Sequence, residues 1–354
     1  MADSGDPSEM DTVKLRNLLD AYGEYPRKYR LLVWRKMLRL PNNEEAYEAL
    51  ASKGIHPAVA DLPQRFPIAD RTLLLRLQRV ASALAHWSPI FAEAAIVPGM
   101  LFPFVKAFGA NEVHAFEAFA TVVNNHARGW FELFPDPPFG VLGEVEAVVQ
   151  FHDPALAQHM QSLPGGVQGA AWQLMSTLFT DVTTANEWLQ LFDHVLTTGK
   201  DFLIHLAAAF LVVWRDTILA APPGSAAVRQ LFSRDAGTSL PRLIRAAYHL
   251  RHGTPVSLVV DNPSALGVGG GHGDRQAVPI AEGGIITLPK AATYPVFEGY
   301  PKRAVSWASA ERDRLKAEED ALLARQRVVK DLSKVGTQPV VACHVISRMC
   351  TLAF

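Results

Sequence analysis

The stretch "FLIHLAAAFLVVW", Phe202 to Trp214, decides the fold class. It is the longest apolar run in the chain, 13 residues with His205 inside it. A bilayer span needs about 20 predominantly apolar residues, so this run predicts a helix buried in a protein core instead. Reading outward, its neighbours carry the same period. "ANEWLQLFDHVL", "AAWQLMSTLF", "PALAQHMQSL", "VLGEVEAVVQFH" and "VHAFEAFATVVNNHARGWFELF" repeat apolar residues at helical spacing. Short Pro, Gly and Asp breaks such as "PDPP" (Pro135 to Pro138) and "LPGG" (Leu163 to Gly166) separate them. Toward the N-terminus, "VKLRNLLDAYG" sets Leu15, Leu18, Leu19 and Tyr22 on one face and stops at Gly23. The only β-like runs, "VSLVV" and "GIITL", come after this region. An all-α domain from Thr12 to about His252 follows.

Bulk properties narrow the function classes. Hydrophobic residues make up 49% of the 354 and charged residues 19%, enough for a large core. The formal net charge of −1 gives no electrostatic footprint for nucleic acid. Two cysteines, Cys343 and Cys350, do not make a disulfide framework. With no signal-peptide pattern in the acidic tail 1–11, a cytoplasmic chain is the expectation.

Beyond the helical region the composition changes. "GVGGGHGD", Gly267 to Asp274, lacks the strand–helix context of a phosphate loop and reads, with residues 253–308, as a flexible linker. His272 inside it is a solvated residue in this reading. A charged helix over 309–335 follows, and 336–354 has no assignment. In that helix Leu315, Leu322 and Val329 repeat every seven residues. The positions three later are Glu318, Arg325 and Leu332, a thin seam that reads as an exposed or partner-docking helix.

No His-Glu-x-x-His, Cys-x-x-Cys or Gly-x-Ser-x-Gly pattern occurs, so neither a metal centre nor a nucleophile elbow is expected. His249 and His252 sit three apart near a helix end, where cations suit the dipole. The unusual residue is Arg71 in "PIADRTLLLRLQRV". It falls in the first turn of a helix, where the dipole disfavours a cation. Asp70 beside it is placed to cap Thr72 or Leu73.

Several motifs then line up with one family. "YRLLVWRKML", through Arg30 and Trp34, resembles the Arg-x-x-x-Trp opening of TBC domains, the helical GTPase-activating proteins for Rab GTPases. "RTLLLRL" is similar to the end of that family's Ile-x-x-Asp-x-x-Arg motif, with Arg71 in the arginine-finger place. "IVPGMLFPF" resembles Tyr-x-Gln-Gly-Met, keeping Gly99 and Met100. Trp172, Phe179, Trp188, Leu189, Phe192 and Asp193 follow the later Trp…Phe…Trp-Leu…Phe-Asp pattern. The closest resemblance is to a divergent subgroup that elsewhere follows a WD-repeat propeller, through "AYGEYPRKYR", "SALAHWSPIF", "FPFVKAF" and "YPVFEGYPK".

The resemblance implies a TBC-type domain over 12–252. Residues 12–160 would form an N-terminal subdomain carrying the finger motifs and 161–252 a C-terminal one. It implies a Rab-family partner that brings its own GTP and Mg²⁺, no cofactor on this chain, and a membrane-traffic, ciliary or centrosomal setting. Arg71 would act in trans on charge developing at the γ-phosphoryl oxygens. Arg76, Arg79, His86 and Trp87 are candidate partner contacts, whereas Arg30 is placed to join two helices. Two of the motifs depart from the family. Ile68 stands where an aspartate precedes the arginine, and Pro98 replaces the glutamine finger, with Ile96 in place of the tyrosine. Proline has no amide and no N–H, so dual-finger catalysis is unavailable. Two readings stay open: an activator using Arg71 alone, or a non-catalytic module that holds a Rab or another trafficking partner. A helical scaffold with an unused groove is a third.

Overall fold

A computed structural model describes residues 12–222, 227–259 and 285–336. The acidic tail, the Gly-rich stretch with His272, and the apolar residues 337–354 with both cysteines lie outside the described residues. Sixteen α-helices and no strand occur among the described residues, as the all-α reading expected. They are α1 (Thr12–Tyr22), α2 (Arg30–Met37), α3 (Glu44–Ala51), α4 (Leu62–Arg65), α5 (Arg71–Trp87), α6 (Ile90–Glu93), α7 (Val97–Phe108) and α8 (Glu112–His126). The second half holds α9 (Phe139–His152), α10 (Pro154–Met160), α11 (Gly166–Met175), α12 (Ala185–Thr198), α13 (Phe202–Val213), α14 (Arg215–Leu219), α15 (Leu240–Gly253) and α16 (Lys302–Gly336).

α13 is formed by the longest apolar run of the chain. It is buried from Phe202 to Leu211 and packs on α9, α11 and α15. α1 ends at Gly23, whose φ of 72° suits the left-handed stop. α5 is started by Asp70, whose Oδ1 accepts from Leu73 N–H at 3.0 Å, one of the two caps expected. Its buried stripe, Leu77, Val80, Ala81 and Leu84, meets α3, α7 and α8. The small residues of "VASALA" let these helices approach closely. α12 begins with a capping box, Thr184 and Glu187 exchanging bonds with each other's backbone N–H.

The described residues up to Pro301 form one packed unit, and those from Lys302 form a second. Side chains from both halves of the first unit share its core. Phe104 of α7 meets Trp188 and Phe192 of α12 edge-on at 5.3 and 5.6 Å.

Two sequence expectations change. The reading of 253–308 as a flexible linker does not hold for 285–301, which lies against the helices. Leu288, Tyr294 and Phe297 are buried there. Phe297 is ringed by Phe91, Phe131 and Trp87, so the aromatic "YPVFEGYPK" outweighs the prolines and glycine around it. In keeping with the all-α reading, the described parts of the β-like runs form no strands: Val256–Leu258 is a 3₁₀ turn, and residues 285–288 have no partner strand among the described residues. The Asn125 amide takes that partner's role, accepting from Ile286 N–H at 2.8 Å and donating to its carbonyl at 2.9 Å. Finally, the charged helix begins at Lys302, seven residues before the predicted 309.

Candidate functional site

The first motif builds the frame. Arg30 opens α2, and its Nε lies 2.9 and 3.1 Å from the two carboxylate oxygens of Asp193 on α12. Its Nη2 donates to Glu24 Oε2 at 2.5 Å and to the Tyr25 carbonyl at 3.1 Å. Trp34, one turn along, donates its indole N–H to Asp193 at 2.7 Å, and Tyr25 N–H adds a fourth bond at 2.9 Å. Arg30, Trp34 and Asp193 are all buried. Burial pushes the Asp193 carboxyl up to about 6, against the pull of its donors. These motif residues join α2 to α12, as expected of Arg30.

Arg71 is the first residue of α5 and is exposed. No hydrogen bond or ion pair joins its guanidinium to another described residue. Asp70 is occupied as the helix cap and does not hold it. The second finger position is different. Pro98 lies in the first turn of α7 and is buried, as is Met100, with Gly99 between them half-buried. Pro98 has no N–H to offer. Pro103, farther along α7, has none either, so the Gly99 carbonyl loses its normal i+4 partner. An attacking water is positioned by a group that both accepts and donates, and the Pro98 side chain can do neither.

The remaining candidates are corrected in part. Trp87 is buried, stacks on Phe91 at 5.4 Å and donates its indole N–H to the Pro295 carbonyl at 2.8 Å. It is a core residue, so the partner-contact reading fails there. His86 is half-buried against the turn after α3, with Nε2 3.1 Å from the Gly54 carbonyl and its ring edge-on to His56. It too serves the fold. Arg79 is exposed but committed to an ion pair with Glu112, which also accepts from the Tyr47 hydroxyl at 3.1 Å. Arg76 is half-buried and makes no such pair among the described residues. Of the arginine candidates Arg71, Arg76 and Arg79, all on one helix, only Arg79 is held in an ion pair among the described residues. Among the described residues no cluster of three metal-ligating side chains occurs.

Sequence reasoning missed a second buried hub. Glu117 of α8 accepts from Asn42 N–H and Asn43 N–H at 3.0 and 2.7 Å, and the Tyr294 hydroxyl lies 2.9 Å from it. Burial pushes its carboxyl up while these donors oppose the shift. A lone acid inside the apolar "HAFEAFATVV" was the available signal.

With this geometry in place, comparison with known proteins identifies the fold. The Rab-GTPase-TBC domain family model matches residues 27–219. Human TBC1 domain family member 31 is 37% identical over 335 residues, covering 94% of this chain and 30% of that protein. Its Xenopus laevis counterpart is 36% identical over 326 residues, covering 92% of this chain and 28% of the relative. The chain thus spans about 30% of the length of these curated relatives. Among solved structures, the Ypt/Rab-GAP domain of Gyp1p superposes with a TM-score of 0.57 at 14% identity, over 70% of this chain and 94% of that one. The Chlamydomonas flagellar RabGAP TBC domain gives 0.53 at 17%, over 70% and 86%. The family model covers more than half of the sequence, and the chain belongs to the Rab-GTPase-TBC domain family.

Proposed function

We propose that this chain is a Rab-GTPase-binding module that holds its partner without accelerating GTP hydrolysis. The observation that carries the reading is Pro98, buried at the glutamine-finger position with neither amide nor N–H. A finger must also be held to within about an ångström of its target, and no described residue hydrogen-bonds or ion-pairs with the Arg71 guanidinium. What remains suits recognition: an exposed cation at a helix start, with Arg76 on the same helix, facing acidic or phosphate groups of a partner. The Rab partner itself rests on family membership.

A second reading, single-finger activation by Arg71, is favoured by one fact: its guanidinium is exposed and free of any described carboxylate. A panel of GTP-loaded Rab proteins separates the two, with binding and phosphate release read in parallel. Binding with release at the intrinsic rate supports the module. Acceleration that falls tenfold or more, roughly the loss of a transition-state contact, in Arg71→Ala supports the finger. Absence of binding across the panel overturns both.

A further inference from the structure

α16 is a helix of 35 residues, about 52 Å long at the standard rise. Its surface is polar almost all round, a condition under which a helix needs either side-chain pairs or a partner. Leu315, Leu322 and Val329 are nonetheless exposed along one stripe. Successive members are seven residues apart, so they stay on one side of the helix over two heptads.

The charges beside this stripe are arranged about its middle. Leu322 is the centre, with Leu315 seven residues before it and Val329 seven after. Glu318 lies four before, Arg325 three after, and both flank the same edge of the stripe. On a larger scale the block Glu318-Glu319-Asp320 precedes the centre, and Arg325, Arg327 and Lys330 follow it. Glu318 makes only a loose contact within its own helix, 3.9 Å to Arg314 Nε.

Two copies side by side have two simple registers. In a parallel pair, Glu318 meets Glu318 and Arg325 meets Arg325, so like charges crowd the seam. In an antiparallel pair centred on Leu322, each Glu318 meets the Arg325 of the other copy. Leu315 then packs on Val329, and Leu322 on its own twin. Charge and apolar pattern agree only in the second register. We infer that α16 pairs with the α16 of a second copy of this chain, antiparallel and centred on Leu322. With so narrow a seam the association is weak and reversible.

Sedimentation velocity of the full chain tests this, over about 1 to 200 µM, the range that spans weak association. The wild type is expected to move from monomer toward dimer. Glu318→Arg and Arg325→Glu each turn two attractive pairs into repulsive ones and are expected to weaken dimerisation about fivefold or more. The double reversal rebuilds the pairs in swapped order and is expected to restore it. All three changes lie on an exposed helix, and circular dichroism checks that helicity is retained. A monomer throughout the range overturns the proposal. So does a dimer unaffected by the single reversals, which is the parallel outcome, or a double reversal that fails to recover.

Discussion

Arg30 and Asp193 are 163 residues apart in sequence and meet inside the core, Nε to Oδ2 at 2.9 Å. A charge pair removed from water is held only while both members and their bonds are present. Arg30→Ala leaves the Asp193 carboxylate without its cation and is expected to destabilise the protein by about 3–5 kcal/mol. Urea unfolding followed by tryptophan fluorescence measures it. Loss below about 1 kcal/mol would show that water or another donor replaces the guanidinium.

Tyr294 ties the segment after the helical core to Glu117 and to the Asn43 carbonyl, at 2.9 and 3.0 Å. Tyr294→Phe keeps the ring, which sits 5.1 Å from Phe116, and deletes only the hydroxyl. The expected cost is about 1–3 kcal/mol, the penalty for leaving buried acceptors short of a donor. Amide exchange should quicken in 286–300 well before it does in α13. Uniform quickening would mean that the hydroxyl supports the whole unit.

Pro98→Gln restores the family's side chain at the second finger position. Because Pro98 is buried, the new amide starts from inside the helix packing. Phosphate release from any Rab that binds is expected to stay at its intrinsic rate, in this variant as in Arg71→Ala. A rate gain of tenfold or more, about 1.4 kcal/mol of transition-state stabilisation, would show that the groove is competent and lacks only its glutamine.

Stability should fall as pH drops from 7 toward 6. Burial lowers His126 to about 4 and also lowers His114, His194 and His205. These imidazoles stay neutral when folded but take up protons near 6.5 when unfolded, so their contribution is present above 6.5 and lost as pH falls. His126 alone accounts for about 3 kcal/mol. Asp193, raised to about 6, and Glu117 run the other way, each losing stability as pH rises. Below about 6 they offset the histidines, and the profile flattens. Urea midpoints at pH 7.5, 6.5 and 5.5 check the shape, and His126→Leu should shrink the first step. A midpoint that climbs steadily from 7.5 to 5.5 would refute it.

Much of this molecule is readable from residue order. Helical period identified α5, α12 and α13, and Gly23 and Asp70 marked boundaries that the backbone keeps. Tertiary partners are what local pattern does not carry. Trp87 beside His86 looks like a surface pair until Phe297 and Pro295, some two hundred positions later, cover the indole. Arg79 and Arg71 look alike on a helical wheel, yet Glu112 engages one and leaves the other open. The mistaken linker has the same origin. Prolines and glycines signal an irregular path, and an irregular path can still be buried when its side chains are aromatic.

That covering segment also sets where the folding unit stops. The family match ends at 219, while Phe297 still plugs the aromatic cluster of Trp87, Phe91 and Phe131. A fragment trimmed to the family's own border would therefore reach water with an open hydrophobic wound at the back of α5. Its poor behaviour in solution would say nothing about the competence of the intact protein.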